Sequence, residues 1–243
     1  MKQPQKQPLG VLLLHGFTGL PESVNGLIPH LSAAGIPYRM PAMRGHWTQP
    51  RDLVGVKAQD WYDDANAALD DLLTETDKVV VVGLSMGGLI TLQLSMARPA
   101  QIVGVVTVSP ALRVADPLAP YCHLMAKIVP YWWMPSPPKG SAYGTAKNYS
   151  IFPTKAFCEF YELGRRVEAD LQKVTVPIRV LVSKADTVIK PESAQVIYDQ
   201  VGSTEKDIHW FERSAHEMMI DWDKDRVLDL IMDFIKTRQP AAS

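Results

Sequence analysis

Lys78-Val79-Val80-Val81-Val82-Gly83-Leu84-Ser85-Met86-Gly87-Gly88 joins a β-branched run to a serine flanked by glycines. Four successive valines leave no solvent face, so Lys78 to Val82 predicts a buried strand. Met86 to Met96 predicts the helix that follows. A serine on a tight strand-to-helix turn is held clear of the sheet, and flanking glycines remove side chains that would collide there. Ser85 is thus the candidate nucleophile. Its plainer reading is a cap on the helix N-terminus.

Outward from this turn the same rhythm continues. Val11 to Leu14, Ile36 to Met40, Ile102 to Val108, Ile178 to Val182 and Asp207 to Phe211 read as further strands. Val24 to Ala34, Ala58 to Leu73, Ser193 to Val201 and Asp223 to Lys236 read as helices between them. Pro191 stands where the first turn of a helix tolerates its missing N–H. Alternation of this kind predicts an α/β fold with a mostly parallel sheet flanked by helices.

One interval breaks the rhythm. Residues 110–170 hold eight of the prolines and half of the 20 aromatics, Tyr131-Trp132-Trp133 among them. That is too long for an ordinary crossover. The reading is a core, 1–109 and 171–243, with a small helical cap inserted at 110–170 over the carboxyl ends of the strands. Ala119 to Val129 and Thr154 to Leu171 are its expected helices, joined by a loop-like stretch from Pro130 to Pro153. A well-packed helical excursion is the plainer alternative.

An activated serine needs a base and a group to orient that base. Asp186 follows the strand Ile178 to Val182, and His216 follows the strand ending near Phe211, so the candidate acid and base each lie beyond a strand end. Asp186 could instead cap a helix, and Glu217 is a weaker candidate acid. After the first strong strand, Leu14-His15-Gly16-Phe17 can turn a backbone amide toward Ser85. The amides of Phe17 and Met86 are the candidate oxyanion hole. His15 and His46 read as structural residues rather than proton-transfer groups.

Essentially the whole chain resembles the α/β-hydrolase superfamily, and more narrowly the bacterial carboxylesterases and monoacylglycerol lipases. Leu12-Leu13-Leu14-His15-Gly16-Phe17-Thr18-Gly19 is similar to that group's oxyanion segment. Gly83-Leu84-Ser85-Met86-Gly87-Gly88 resembles its nucleophile elbow, and Ala185-Asp186 and Ala215-His216 its acid and base segments. The resemblance implies Ser85 as nucleophile, Asp186 as orienting acid and His216 as general base, in the chain order of that fold. Arg44-Gly45-His46-Trp47 departs from the Gly-His-Gly turn that the group often carries.

Composition limits the partners. Lys plus Arg number 25 against 26 Asp plus Glu, a formal charge of -1, with no basic block for nucleic acid. The apolar runs fall far short of the ~20 residues a membrane span needs, which predicts no integral membrane association. Met1 to Pro8 have no apolar signal core, which predicts a cytoplasmic protein. Cys122 and Cys158 suit neither a disulfide scaffold nor the sequence spacing of a metal site, and the chemistry requires no metal or organic cofactor. The expected activity is hydrolysis of a small-molecule ester with a short- or medium-chain acyl group, monoacylglycerols included. Phe17, Trp47, Trp132 and Trp133 are candidate substrate-binding residues, although aromatics also build ordinary cores. Thioester or carbon–carbon bond hydrolysis, and a non-enzymatic binding protein, are the alternatives.

Overall fold

The computed structural model of the protein describes residues 6–133 and 148–239. Its strands are β1 (Gln7–Leu14), β2 (Tyr38–Arg39), β3 (Thr76–Leu84), β4 (Ile102–Val108), β5 (Tyr131–Trp133), β6 (Ile151–Pro153), β7 (Ile178–Ser183) and β8 (Lys206–Phe211). The helices are α1 (Ile28–Ala33), α2 (Ala58–Leu72), α3 (Met86–Ala97), α4 (Cys122–Met125), α5 (Thr154–Asp170), α6 (Glu192–Gln200) and α7 (Lys224–Lys236). Six strands form one sheet in the order β2-β1-β3-β4-β7-β8, and every pairing in it is parallel.

The two-residue period of the strands builds two cores. Leu12, Leu14, Val79, Val81, Val105 and Val180 face the layer that holds α2, α3, α5 and α6. Leu13, Val80, Val82, Leu84, Val106 and Leu181 alternate onto the other face, against α1 and α7. The near-unbroken apolar runs in β1 and β3 follow, since both faces are covered. Helix α3 is buried along most of its length from Met86 to Ser95. This explains why its sequence is apolar all round rather than striped.

Register decides where function can sit. Leu14 pairs with Gly83, Leu84 with Val108, Val108 with Leu181, and Ser183 with Phe211. The carboxyl ends of five strands are therefore level. The segments beginning at His15, Ser85, Ser109, Lys184 and Glu212 all leave the sheet on one edge.

Three expectations need correction. The helix expected over Val24 to Ala34 is one 3-10 turn, Asn25–Leu27, followed by α1, which starts at Ile28 with Pro29 in its first turn. Proline has no N–H to give to a preceding turn, which costs nothing at a helix start, so Pro29 fits the first turn of α1 and not the interior of a longer helix. The helix expected over Ala119 to Val129 is a 3-10 turn and the four residues of α4. Leu124 and Ile128, which would have anchored an apolar stripe, are 61% and 75% exposed, so no packed face propagates it. Within the stretch expected to be loop-like, β5 and β6 pair antiparallel, with Trp132 opposite Phe152. Residues 134–147 of that stretch lie outside the described residues.

Candidate active site

The backbone makes Ser85 prominent before any chemistry is considered. It has φ 56° and ψ -115°, a region that side-chain-bearing residues seldom occupy. The surroundings hold it there. Its N–H donates to the Val108 carbonyl at 2.9 Å, while its own carbonyl accepts from Gly88 and Ala111 at 3.0 and 3.2 Å. Such strain persists only where neighbours over-determine it.

The glycines of the motif have individual reasons. A Cβ on Gly87 would lie 2.2 Å from the Leu14 carbonyl oxygen, and one on Gly83 would lie 2.3 Å from that of Gly87. Both obstacles are backbone and cannot swing aside. Gly87→Ala should therefore destabilise the fold at or beyond the upper end of the ~1–3 kcal/mol that overpacking costs. A denaturant midpoint equal to that of the unmutated protein would contradict this. Gly16 works at closer range to the chemistry. A Cβ there would stand 3.1 Å from the Ser85 Cβ, so the turn after β1 runs directly beside the serine.

Across the sheet edge, His216 and Asp186 meet. The imidazole Nδ1–H donates to Asp186 Oδ2 at 2.7 Å, and both residues are buried. The other carboxylate oxygen, Oδ1, accepts from the amides of Val188 and Ile189 at 2.8 and 2.9 Å. Asp186 is thus fixed by its own loop and fixes the ring in turn, leaving the lone pair on Nε2. Burial alone would lower the His216 pKa. The Asp186 charge and hydrogen bond, with the Glu217 charge, outweigh it and hold the imidazole above its ordinary value. Glu217 is itself buried, and burial keeps its carboxyl above the usual carboxylate range despite His216 and the Asn148 hydrogen bond.

The Hydrolase_4 family model, described as serine aminopeptidase, S33, matches residues 6–223. The chain belongs to the serine aminopeptidase S33 family. This S33 hydrolase is 29% identical over 234 residues to the thermostable monoacylglycerol lipase of Bacillus sp. (strain H-257), across 93% of this chain and 90% of the relative. It is 26% identical to the carboxylesterase of Bacillus subtilis (strain 168) over 227 residues, or 93% and 92% of the two chains. A solved structure of the metagenome-derived lipolytic enzymes LipS and LipT aligns with a TM-score of 0.89 at 29% identity, covering 96% of each chain. The fold is that of an α/β-hydrolase.

The remaining sequence candidates of the S33 hydrolase occupy varied settings. Met86 is the first residue of α3, where the amide has no acceptor within the helix. The Phe17 ring is buried, stacked on Phe160 at 5.1 Å and edge-on to Trp61 and Phe152. Trp47 is partly buried beside His15. Trp132 is buried, stacked on Phe157 at 5.0 Å, and donates its indole N–H to Asp116. Trp133 is 68% exposed.

His15 uses both nitrogens, accepting from the Met43 amide at Nε2 and donating from Nδ1 to the Gly16 carbonyl. Burial, reinforced by His46, lowers its pKa to about 3, and burial lowers that of His46 to about 4. Both rings stay neutral and brace the turn after β1 against the loop after β2.

Several supporting residues escaped the sequence reading. Asp223 accepts from the Ser214 amide and hydroxyl at 2.9 and 2.8 Å, and Asp221 accepts from the Ala215 amide at 2.6 Å. Ser183 donates its hydroxyl to the Ser214 carbonyl. Together they hold the segment that carries His216. Small polar residues at the end of β7 and just before α7 were the available signal.

Residues 110–170 reach the same edge. Tyr149 donates its amide to the Thr18 carbonyl at 3.3 Å, and its hydroxyl accepts from the Thr48 amide at 2.9 Å. Asn148 donates to Glu217 at 2.9 Å, and the Ala115 amide donates to the Val188 carbonyl at 2.9 Å. Among the described residues, seven of the nine exposed large apolar side chains belong to residues 110–170, from Leu118 to Ile151. Residues 110–170 are thus tied to the loops that carry Thr18, Thr48, Val188 and Glu217 while presenting an apolar exterior. None of the helices among the described residues is long and apolar enough to cross a membrane.

Proposed function

We propose that this protein is a serine carboxylic-ester hydrolase working through an acyl-enzyme, with Ser85 as nucleophile, His216 as base and Asp186 as orienting acid. The observation that carries the reading is the buried His216–Asp186 pair on the sheet edge from which the strained Ser85 turn also leaves. Attack of the Ser85 hydroxyl oxygen on the ester carbonyl passes its proton to His216 Nε2. The protonated ring then returns that proton to the leaving alcohol as the carbon–oxygen bond breaks. Water, deprotonated by the same nitrogen, attacks the acyl-enzyme, and Ser85 leaves with its proton restored. The amides of Phe17 and Met86 stabilise the tetrahedral oxyanion, an interaction worth about 3–4 kcal/mol per donor in comparable sites.

Residues 110–170 act as a cap on the core formed by 1–109 and 171–243. Their ties to Thr18, Val188 and Glu217 support this division. The substrate is a small ester with a short- or medium-chain acyl group, monoacylglycerols included. The apolar insertion and the lipase and carboxylesterase relatives support that class. Near-balanced charge argues against a nucleic-acid partner, and two free thiols accord with a cytoplasmic setting.

A hydrolysis profile tests the class directly. Esters of graded acyl length and monoacylglycerols should be cleaved with higher kcat/KM than matched thioesters, carbon–carbon substrates and aminoacyl amides. Preference for any of those three would replace the ester reading. Within the same profile, Trp132→Ala should shift the ratio between medium and short chains by up to the ~1–3 kcal/mol that a methylene-scale contact is worth. Trp132 stacks on Phe157 and anchors β5 to Asp116, so its truncation loosens the cap rather than the nucleophile. Unchanged ratios in folded Trp132→Ala and Trp133→Ala would remove these tryptophans from the selective wall.

A further inference from the structure

Cys122 and Cys158 have no metal-site spacing along the chain, yet the fold brings them together. Cys122 opens α4 and Cys158 lies on α5. A thiol sulfur from each and a ring nitrogen of His123 all lie within 4.8 Å of one another. Glu162, one turn beyond Cys158 on α5, places Oε1 3.4 Å from His123 Nε2. The thiols are buried, whereas the His123 side chain is 66% exposed and leaves an approach from solvent.

We propose that Cys122, Cys158 and His123, with the Glu162 carboxylate on the open side, bind a soft divalent transition metal of the Zn²⁺ type. Two thiolates and an imidazole are the donor set such an ion prefers, and it takes them tetrahedrally. Bond lengths of about 2.3 Å to sulfur and 2.0–2.1 Å to nitrogen place ligand atoms about 3.3–3.8 Å apart. Rotation of the side chains closes the difference from the observed spacing. Glu162 also pairs with Arg165 at 3.6 Å, and that contact must yield or share the carboxylate.

Binding is a proton exchange with no change in oxidation state. Each S–H bond breaks, its proton leaves to solvent, and a sulfur–metal bond forms, so one metal ion releases two protons. Because protons leave as the metal binds, uptake strengthens as pH rises. The ion would join α4 to α5, and α5 packs on the helix that follows Ser85. By mass action it stabilises the folded chain.

The test uses the full-length protein, reduced by a phosphine that contributes no thiol, titrated with Co²⁺ and then Zn²⁺. The expected result is a thiolate-to-cobalt absorption band saturating at one equivalent, bleached by Zn²⁺, with proton release and a raised Tm. Cys122→Ser and Cys158→Ser should lose the band. Because buried variants can misfold, His123→Gln provides the independent arm, since its side chain is exposed. It should weaken Zn²⁺ binding by at least the ~10–100-fold that even an outer partner of a metal ligand is worth. No band at one equivalent, a band that survives both cysteine substitutions, or unchanged Zn²⁺ affinity in His123→Gln would overturn the proposal. None of these readouts depends on ester hydrolysis.

Discussion

Ser85→Ala should lower ester hydrolysis by about 10⁶-fold, the scale seen when the nucleophile of a triad acting as a unit is removed. The substitution deletes one oxygen and keeps the Cβ, so the strained backbone at φ 56° is unchanged and no cavity of consequence forms. The denaturation midpoint should accordingly stay near that of the unmutated protein. Covalent labelling by a serine-directed phosphonate should disappear together with turnover. Steady-state hydrolysis near the original rate in folded Ser85→Ala would exclude this serine as nucleophile.

Removing the imidazole should have an effect of similar size. His216→Ala leaves the Ser85 proton without an acceptor, and a loss of about 10⁶-fold is expected because base and nucleophile fail together. The pH dependence gives this prediction its sign. Only neutral His216 can accept the proton, so activity rises as pH passes upward through the ring's pKa. The Asp186 hydrogen bond and the two neighbouring carboxyl groups raise that pKa against the effect of burial. The rising limb of kcat/KM should therefore lie above the ~6.5 of an unperturbed histidine. In His216→Ala, measured on its residual rate, that limb should vanish. A limb centred below the ordinary value would contradict the geometry of the pair, and an unchanged profile in the folded variant would remove His216 from the mechanism.

Much of this arrangement was legible because it is local. The strand–Gly-x-Ser-x-Gly–helix run is one continuous segment whose turn is sterically possible only with small flanking residues. The structure supplies the reason in the near-collisions at Gly83 and Gly87. Parallel β-strands buried on both faces announce themselves as unbroken apolar runs, and β1, β3, β4 and β7 all carry one. The weaker readings failed where local pattern had no tertiary partner. Ala119 to Val129 was expected to be helical, but Leu124 and Ile128 are exposed and only one α-helical turn forms. Tyr131-Trp132-Trp133 is too short to show a strand period, so its pairing with Ile151–Pro153 was not visible. Trp133, placed by sequence among candidate substrate contacts, has most of its surface in solvent.

Sequence by itself determined the order of the six sheet strands and of the longer helices, the turn at Ser85 and the two positions, 186 and 216, where a partner had to be sought. Each follows from steric and solvation rules that act over a few residues. Only the tertiary structure decided that His216 Nδ1 meets Asp186 Oδ2 at 2.7 Å, because that contact requires the β7–β8 register to level two loops 30 residues apart. Tertiary structure alone also decided that Cys122, His123 and Cys158 come together, and that Asn148 reaches Glu217 next to His216. Contacts of this kind depend on packing between elements distant in sequence, and no residue's immediate neighbours encode them.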